Sequence, residues 1–267
     1  MDLELNGRCA LVTGGSRGIG KAVARVLAQE GADVALLARD AVRLQAAAAE
    51  LAAATGRRVV GVAADTTSDD AVRAAVADAA RQLGGSIDIL VNAAAEPAGF
   101  ARPPGLEQIE SAFFHAELDT KVMGYVRCAR EVVPGMRAKG WGRIVNISGL
   151  AARQTGNPVG SMRNVAVAAL TKNMADELGP AGIQVTVVHP GLTRTERTAP
   201  LVTERARSSG RTEAEIEHEM AAGNSIRHLV TAEEVAWVVA FLCSPKSRAI
   251  NGETIVAGGG APRVIHY

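Results

Sequence analysis

The stretch that most constrains the fold is residues 10–20, ALVTGGSRGIG. An apolar strand runs into Thr13-Gly14-x-x-x-Gly18-x-Gly20, and a helix is expected to begin near Ile19. Gly14 lets the chain turn sharply off the strand end, Gly18 lets the backbone approach a ligand, and Gly20 lets the helix pack tightly on the strand. The N-terminus of that helix offers unpaired amide hydrogens and a partial positive charge, which suit an anion such as a dinucleotide's diphosphate. Gly14, Ser16, Arg17, Gly18, Ile19 and Gly20 are therefore candidate phosphate-binding residues.

The rest of the chain alternates apolar runs with helical patterns. Residues 32–38 form a continuous apolar run too short for a helix, as a parallel strand buried on both faces would. Further strands are expected at residues 58–63, 87–91, 142–148, 183–188 and 253–256. Helices are expected at 18–30, 41–54, from the 67–69 cap to Leu83, 157–178 and 231–243, together with a long helical stretch at 106–138 broken near Phe114. This alternation implies a doubly wound, Rossmann-type α/β fold in one domain spanning residues 1–267, with a parallel sheet between two helical layers. Ligands of such sheets bind at the carboxyl ends of the strands, where Gly14, Arg39, Asp65, Asn92, Ser148 and Pro190 fall. The charged residues 195–228 read as a largely helical lid over that edge, or equally as a solvated insertion.

Composition narrows the partners. Aromatic residues are only 3% of the chain and apolar residues 48%, so the core must be built from Val, Leu, Ile and Ala. A net charge of +1 with interspersed signs leaves no basic stripe for nucleic acid. No apolar run reaches bilayer length, and the start MDLELNGR lacks the features of a signal peptide, so a cytoplasmic location without a membrane partner is expected. Cys9, Cys128 and Cys243 are isolated, which suits buried thiols in a reducing compartment rather than a metal site.

TGGSRGIG, Asp65, LVNAA at residues 90–94, GRIVNIS, residues 170–185, HPGLTRT at 189–195 and the terminal INGETIVAGGG together resemble the short-chain dehydrogenase/reductase family over nearly the whole chain. The resemblance implies a nicotinamide dinucleotide. Asp65, with Thr66, would hold the adenine, and Asn92, with Ala93 and Ala94, would brace the sheet beside the cofactor. The Pro190-Gly191-x-Thr193-x-Thr195 turn would hold the carboxamide. Asp65 could instead cap a turn, and Thr195 could start a helix. Arg39 directly follows the second strand, where an acidic residue usually holds a dinucleotide lacking a 2′-phosphate; with Arg17 in the glycine loop it favours NADP(H) over NAD(H). The resemblance, with apolar helix faces around residues 122–133 and 165–178, also implies a homo-oligomer, tetramer or dimer.

The family's catalytic groups are a Ser, a Tyr, a Lys four residues after the Tyr and an Asn on the preceding long helix, and the chain departs from that set. Aligned on Leu170-Thr171-Lys172, the Tyr position is Gly160 and the Lys position Asn164. Aligned on Asn146-Ile147-Ser148, the Tyr position is Ser161 or Met162, and the only tyrosines are Tyr125 and Tyr267. Gly149 stands where the active Ser of the family pattern usually falls, which leaves Ser148. Aligned on Gly124, the Asn position is Lys121. Lys and Asn have thus changed places, and Ser148, Lys121 and Asn164 are the candidate catalytic residues, Asn164 also facing the nicotinamide ribose. The plain alternative is that Lys121 is an exposed helix lysine. His189 is expected to be a turn residue that packs locally, His115 an interior or groove residue, and Arg153 and Arg163 solvated loop arginines near the substrate mouth.

The expected function is an NADP(H)-dependent oxidoreductase acting on a small carbonyl or alcohol compound through an atypical site. Two alternatives stay open: a lyase or isomerase that keeps the cofactor as a structural part, and a nucleotide-binding sensor without turnover.

Overall fold

Seven short runs rich in Val, Ile, Leu and Ala become strands of one sheet; the inner ones are buried on both faces, and the edge strands at either end are partly exposed. They are β1 (Cys9–Thr13), β2 (Asp33–Ala38), β3 (Val59–Ala63), β4 (Ile89–Asn92), β5 (Gly142–Ile147), β6 (Ile183–Pro190) and β7 (Thr254–Ala257). The sheet order is β3-β2-β1-β4-β5-β6-β7, parallel throughout. The direction of winding reverses between β1 and β4, which opens a crevice at their carboxyl ends. The computed structural model describes residues 1–95 and 103–262. Pro97 and Gly99, part of the loop expected after the fourth strand, lie outside the described residues.

The helices are α1 (Gly18–Gln29), α2 (Ala41–Thr55), α3 (Asp69–Leu83), α4 (Ser111–Leu118), α5 (Gly124–Lys139), α6 (Pro158–Leu178), α7 (Thr198–Ser209), α8 (Glu213–Ala221) and α9 (Ala232–Cys243). Alternate strand residues feed two cores. Ala10, Val12, Val34 and Leu36 pack with α1, α2 and α9, and Leu11, Ala35, Leu37 and Leu90 pack with α3, α5 and α6. Capping side chains set the helix starts: Asp40 accepts from Arg43 N, Ser68 from Ala71 N, Asn157 from Gly160 N and Thr231 from Glu234 N. Cys128 and Cys243 are buried, and burial pushes both thiols up to about 12, which keeps them unreactive.

Two expectations need correction. The break in the long helical stretch is not near Phe114, which sits inside α4; a separate 3-10 turn at Leu106–Gln108 precedes that helix. The interruption is a π turn at Asp119–Met123, between α4 and α5. Nothing near Phe114 opposes a helix, whereas Gly124 can close tightly on Thr66, since a Cβ on it would lie 3.2 Å from the Thr66 Cβ. Residues 195–228 do contain two helices, but these are not merely solvated. Val202, Ala206, Ile216, Met220 and Leu229 of α7, α8 and the turn after them bury one another in a small core.

Candidate active site

The strand ends surround a cleft of about 720 Å³, a size that suits a small-molecule or cofactor site. Gly14, Ser16, Arg17, Gly18, Ile19 and Gly20 line it from the glycine turn, Arg39 from the end of β2, and Asp65 and Thr66 from the end of β3. Ala93 and Ala94 come after β4, Ser148 after β5, and Pro190, Gly191, Thr193 and Thr195 come from the end of β6 and its turn. Lys121 and Asn164 complete the expected set. Asn92 is the exception. It lies fully buried behind the wall, where its amide donates to Asn146 Oδ1 (3.0 Å) and Asn146 Nδ2 donates to Thr171 Oγ1 (2.9 Å). It ties β4 to β5 and, through Asn146, to α6, which is the bracing expected of it, without lining the cleft itself.

The glycines do what close approach requires. Gly14 has φ +66, and a Cβ there would meet the Ala93 carbonyl oxygen at 2.8 Å; at Gly20 a Cβ would meet the Gly14 oxygen at 2.4 Å. The Thr13 hydroxyl accepts from Ala93 N (3.0 Å) and Ala94 N (3.1 Å), which closes the crevice floor between β1 and β4. At the start of α1, Gly18 N donates to Glu196 Oε2 (2.9 Å) and Oε1 (3.3 Å). The helix N-terminus thus holds an anion supplied by the chain itself, and a cradle that accepts a carboxylate fits a diphosphate. Sequence alone misses Glu196. It lies 178 positions from Gly18 and belongs to no motif, so only the fold brings it there.

Asp65 caps its turn and stands on the cleft wall; its Oδ1 accepts from Thr67 N (3.0 Å) and Thr67 Oγ1 (2.9 Å). Thr195 precedes α7 and donates its N–H to Thr198 Oγ1 (2.9 Å), while Thr193 Oγ1 donates to Gly191 O (2.9 Å). Arg17 and Arg39 are both exposed on the cleft wall.

Lys121 is not a surface lysine: it is 4% exposed. Its Nζ donates to Asn164 Oδ1 (2.8 Å) and to the Ser148 carbonyl (3.0 Å). Burial drags its pKa down to about 7, because the charged form loses its hydration. The Ser148 hydroxyl donates to the main-chain oxygen of Asn164 (3.0 Å), so these three residues form one connected group. Tyr125 is elsewhere. Its hydroxyl donates to Ile147 O (2.8 Å) inside the protein, burial raises its pKa, and no tyrosine is among the described residues lining the cleft. Tyr267 lies outside the described residues. At Gly160 a Cβ would come within 2.5 Å of Asn157 Nδ2, so the cap that starts α6 occupies the space a phenol there would need.

The remaining expectations divide. His189 is in β6, not in a turn, and its buried ring does not pack locally: Nδ1 accepts from Gly149 N (3.3 Å), 40 positions away, after β5. His115 is exposed on α4, its ring tilted against Phe114, and is not an interior residue. Arg153 is exposed as expected. Arg163 is buried rather than solvated, because α6 already begins at Pro158 and turns residue 163 toward α4, where it pairs with Glu117. Residues 160, 163 and 164 share one helical face, so the Arg163 side chain also lines the cleft. Among the described residues no group of His, Cys, Asp or Glu is arranged to hold a metal ion, and no helix is long and apolar enough to cross a membrane.

Comparison with known proteins agrees with this geometry. Residues 14–262 match the family described as Enoyl-(Acyl carrier protein) reductase. The chain is 36% identical over 254 residues to the short-chain reductase protein NovJ of Streptomyces niveus, covering 95% of this chain and 93% of that one. It is 33% identical over 264 residues to the 3-oxoacyl-(acyl-carrier-protein) reductase FabG of Aquifex aeolicus, covering 97% and 99%. Among solved structures, L-sorbose reductase from Gluconobacter frateurii, complexed with NADPH and L-sorbose, superposes with a TM-score of 0.91 at 31% identity, covering 99% of this chain and 100% of that one.

Proposed function

The chain belongs to the short-chain dehydrogenase/reductase family, and we propose that it is an NADP(H)-dependent oxidoreductase of a small carbonyl or alcohol compound in which Lys121 takes the part of the family's tyrosine. The observation that carries this reading is the buried Lys121 amine, held by Asn164 and the Ser148 carbonyl on the same cleft as the glycine cradle. The sorbose reductase solved with NADPH supports the choice of dinucleotide.

The cleft would hold a reduced nicotinamide, whose chemistry there would be hydride supply to a carbonyl carbon. The carbonyl oxygen then gathers negative charge, and the Lys121 ammonium gives it a proton; in the oxidative direction the neutral amine takes the proton from the alcohol. A pKa near the working pH makes one group competent for both. Ser148 steadies the reacting oxygen by turning its hydroxyl hydrogen from the Asn164 carbonyl to the substrate. Asn164 Oδ1 is engaged by Lys121, which leaves its Nδ2 to donate to ribose hydroxyls. Arg17 and Arg39 would hold the 2′-phosphate.

The deciding measurement is the absorbance of NADPH during incubation with a panel of aldehydes, ketones and keto sugars. Oxidation with at least one member is the expected result. Tight binding of NADPH with no oxidation by any of them would replace this reading by a sensor or a non-redox enzyme. The same reading includes a homo-oligomer, which the half-exposed Phe113, Met123, Met162 and Val165 on and between α4 and α6 support. Light scattering at micromolar concentration should report a dimer or tetramer, and a monomeric mass would refute it.

A further inference from the structure

Lys121 reaches the cleft because of a helix defect. A π turn holds one residue more than an α turn and rotates the helix on its N-terminal side by about 100° relative to the helix on its C-terminal side. Here the Gly124 N–H donates to the Asp119 carbonyl, five residues back, and Lys121 sits midway along that turn. π turns are rare and occur mostly as single-turn bulges inside α-helices, and this one has support from outside the helix.

That support comes from one side chain. Arg127, on the next turn of α5, donates from Nη2 to Asp119 Oδ1 (2.7 Å), and from Nη1 to the Asp119 carbonyl (3.4 Å) and the Thr66 carbonyl (3.1 Å). Its Nε donates to Asp69 Oδ2 (3.3 Å), at the start of α3. The Arg127 side chain is 9% exposed, whereas its carboxylate partners Asp119 and Asp69 stand at the surface edge, 41% and 49% exposed. The guanidinium therefore staples the start of the π turn to the loop between β3 and α3, whose Thr66 lines the cleft. A planar group with five fixed donors suits this task, and a lysine could satisfy only part of it.

We propose that Arg127 is a positioning residue that holds the π turn open so that the Lys121 amine points into the cleft between Asn164 and Ser148. The proposal rests on the reading of Lys121 as the proton-transfer group for its functional meaning, but its geometry stands apart from that reading. The ionisable groups on the elements packed against the turn are His115 and Glu117 on α4, Tyr125, Arg127, Cys128, Arg130, Glu131, Arg137 and Lys139 on α5, and Arg163, Lys172, Asp176 and Glu177 on α6, with Asp119 on the turn itself and Asp65 and Asp69 on the segment between β3 and α3 that Arg127 reaches. None of them accounts for the lowered Lys121 pKa, which comes from burial alone. Releasing the turn should expose the amine and undo that lowering.

The test is competitive acylation of the folded protein across pH, with the Lys121 peptide tracked by mass spectrometry, which reads the amine directly and needs no substrate. In the parent the midpoint should lie near 7. In Arg127→Met it should rise by about one unit or more as the amine reaches water, and Arg127→Lys should fall between the two. An unchanged midpoint in folded Arg127→Met overturns the proposal. Should that variant fail to fold, Asp119→Asn decides, since it keeps the side-chain oxygen but removes its charge. It should raise the midpoint in the same direction, and no change there overturns the proposal as well. Activity of Lys121→Met is the separate check on the underlying reading: a fully active Lys121→Met would sink the proton-transfer role while leaving the acylation result to judge Arg127 alone.

Discussion

Replacing Lys121 by methionine is expected to cut carbonyl reduction by about a hundredfold to ten-thousandfold, the range for losing a general acid, while NADPH affinity changes by no more than a few-fold. Methionine keeps the length of the side chain and removes the proton. The pH dependence has a definite sign. With a pKa of about 7, the parent lysine is protonated below that value, so reduction should be fast at lower pH and decline as pH rises through about 7. Alcohol oxidation, which needs the neutral amine, should show the opposite trend. Both trends should vanish in Lys121→Met. A second readout needs no turnover. The lysine pKa is pulled from 10.5 down to about 7 by burial, so between those values the unfolded chain holds a proton that the folded protein has released. Parent stability should therefore rise with pH across that window relative to Lys121→Met, as measured by thermal melts at several pH values. Turnover equal to the parent in Lys121→Met would leave the lysine a buried structural group and place the proton source elsewhere.

Arg39→Asp is expected to weaken NADPH binding by about tenfold to a hundredfold, because hydrogen bonds to a charged partner contribute about 1.5–3 kcal/mol and each 1.4 kcal/mol is tenfold. NADH should gain at the same time, since a carboxylate at the end of β2 can accept from ribose hydroxyls where a phosphate would be repelled. Fluorescence titration of both dinucleotides measures the two effects together, and an unchanged preference would remove Arg39 from phosphate recognition. Glu196→Gln should act the other way in the same titrations. Its carboxylate now accepts the Gly18 N–H at the start of α1, where an incoming diphosphate must compete with it. Removing the charge should tighten either dinucleotide by about two- to fivefold, the scale of one anion at an exposed helix N-terminus. Tighter binding of NADPH but not NADH would instead place Glu196 beside the 2′-phosphate.

The sequence by itself determined the layout of the fold and most of the cleft wall. Gly14 and Gly20 are forced by backbone contacts that a Cβ would violate, and the period of the apolar runs sets strands against helices. The cleft is then a consequence, because parallel sheets of this winding gather strand ends at one edge, and every expected cofactor residue except Asn92 lines it. These signals are local: a turn, a cap or a run of alternating patterns is written within a few residues. Tertiary structure alone decided the chemistry of the site. Lys121 meets the Ser148 carbonyl across 27 positions and Asn164 across 43, and Glu196 meets Gly18 across 178. Arg163 is buried by the face α6 turns toward α4, and Lys121 takes its direction from a π turn whose closing glycine, Gly124, is no different in sequence from a glycine inside an ordinary α-helix. Which way a helical side chain points depends on the summed rotation of all the turns before it and on the elements that pack outside them. One added residue in a turn changes that direction by about 100° without changing any sequence pattern.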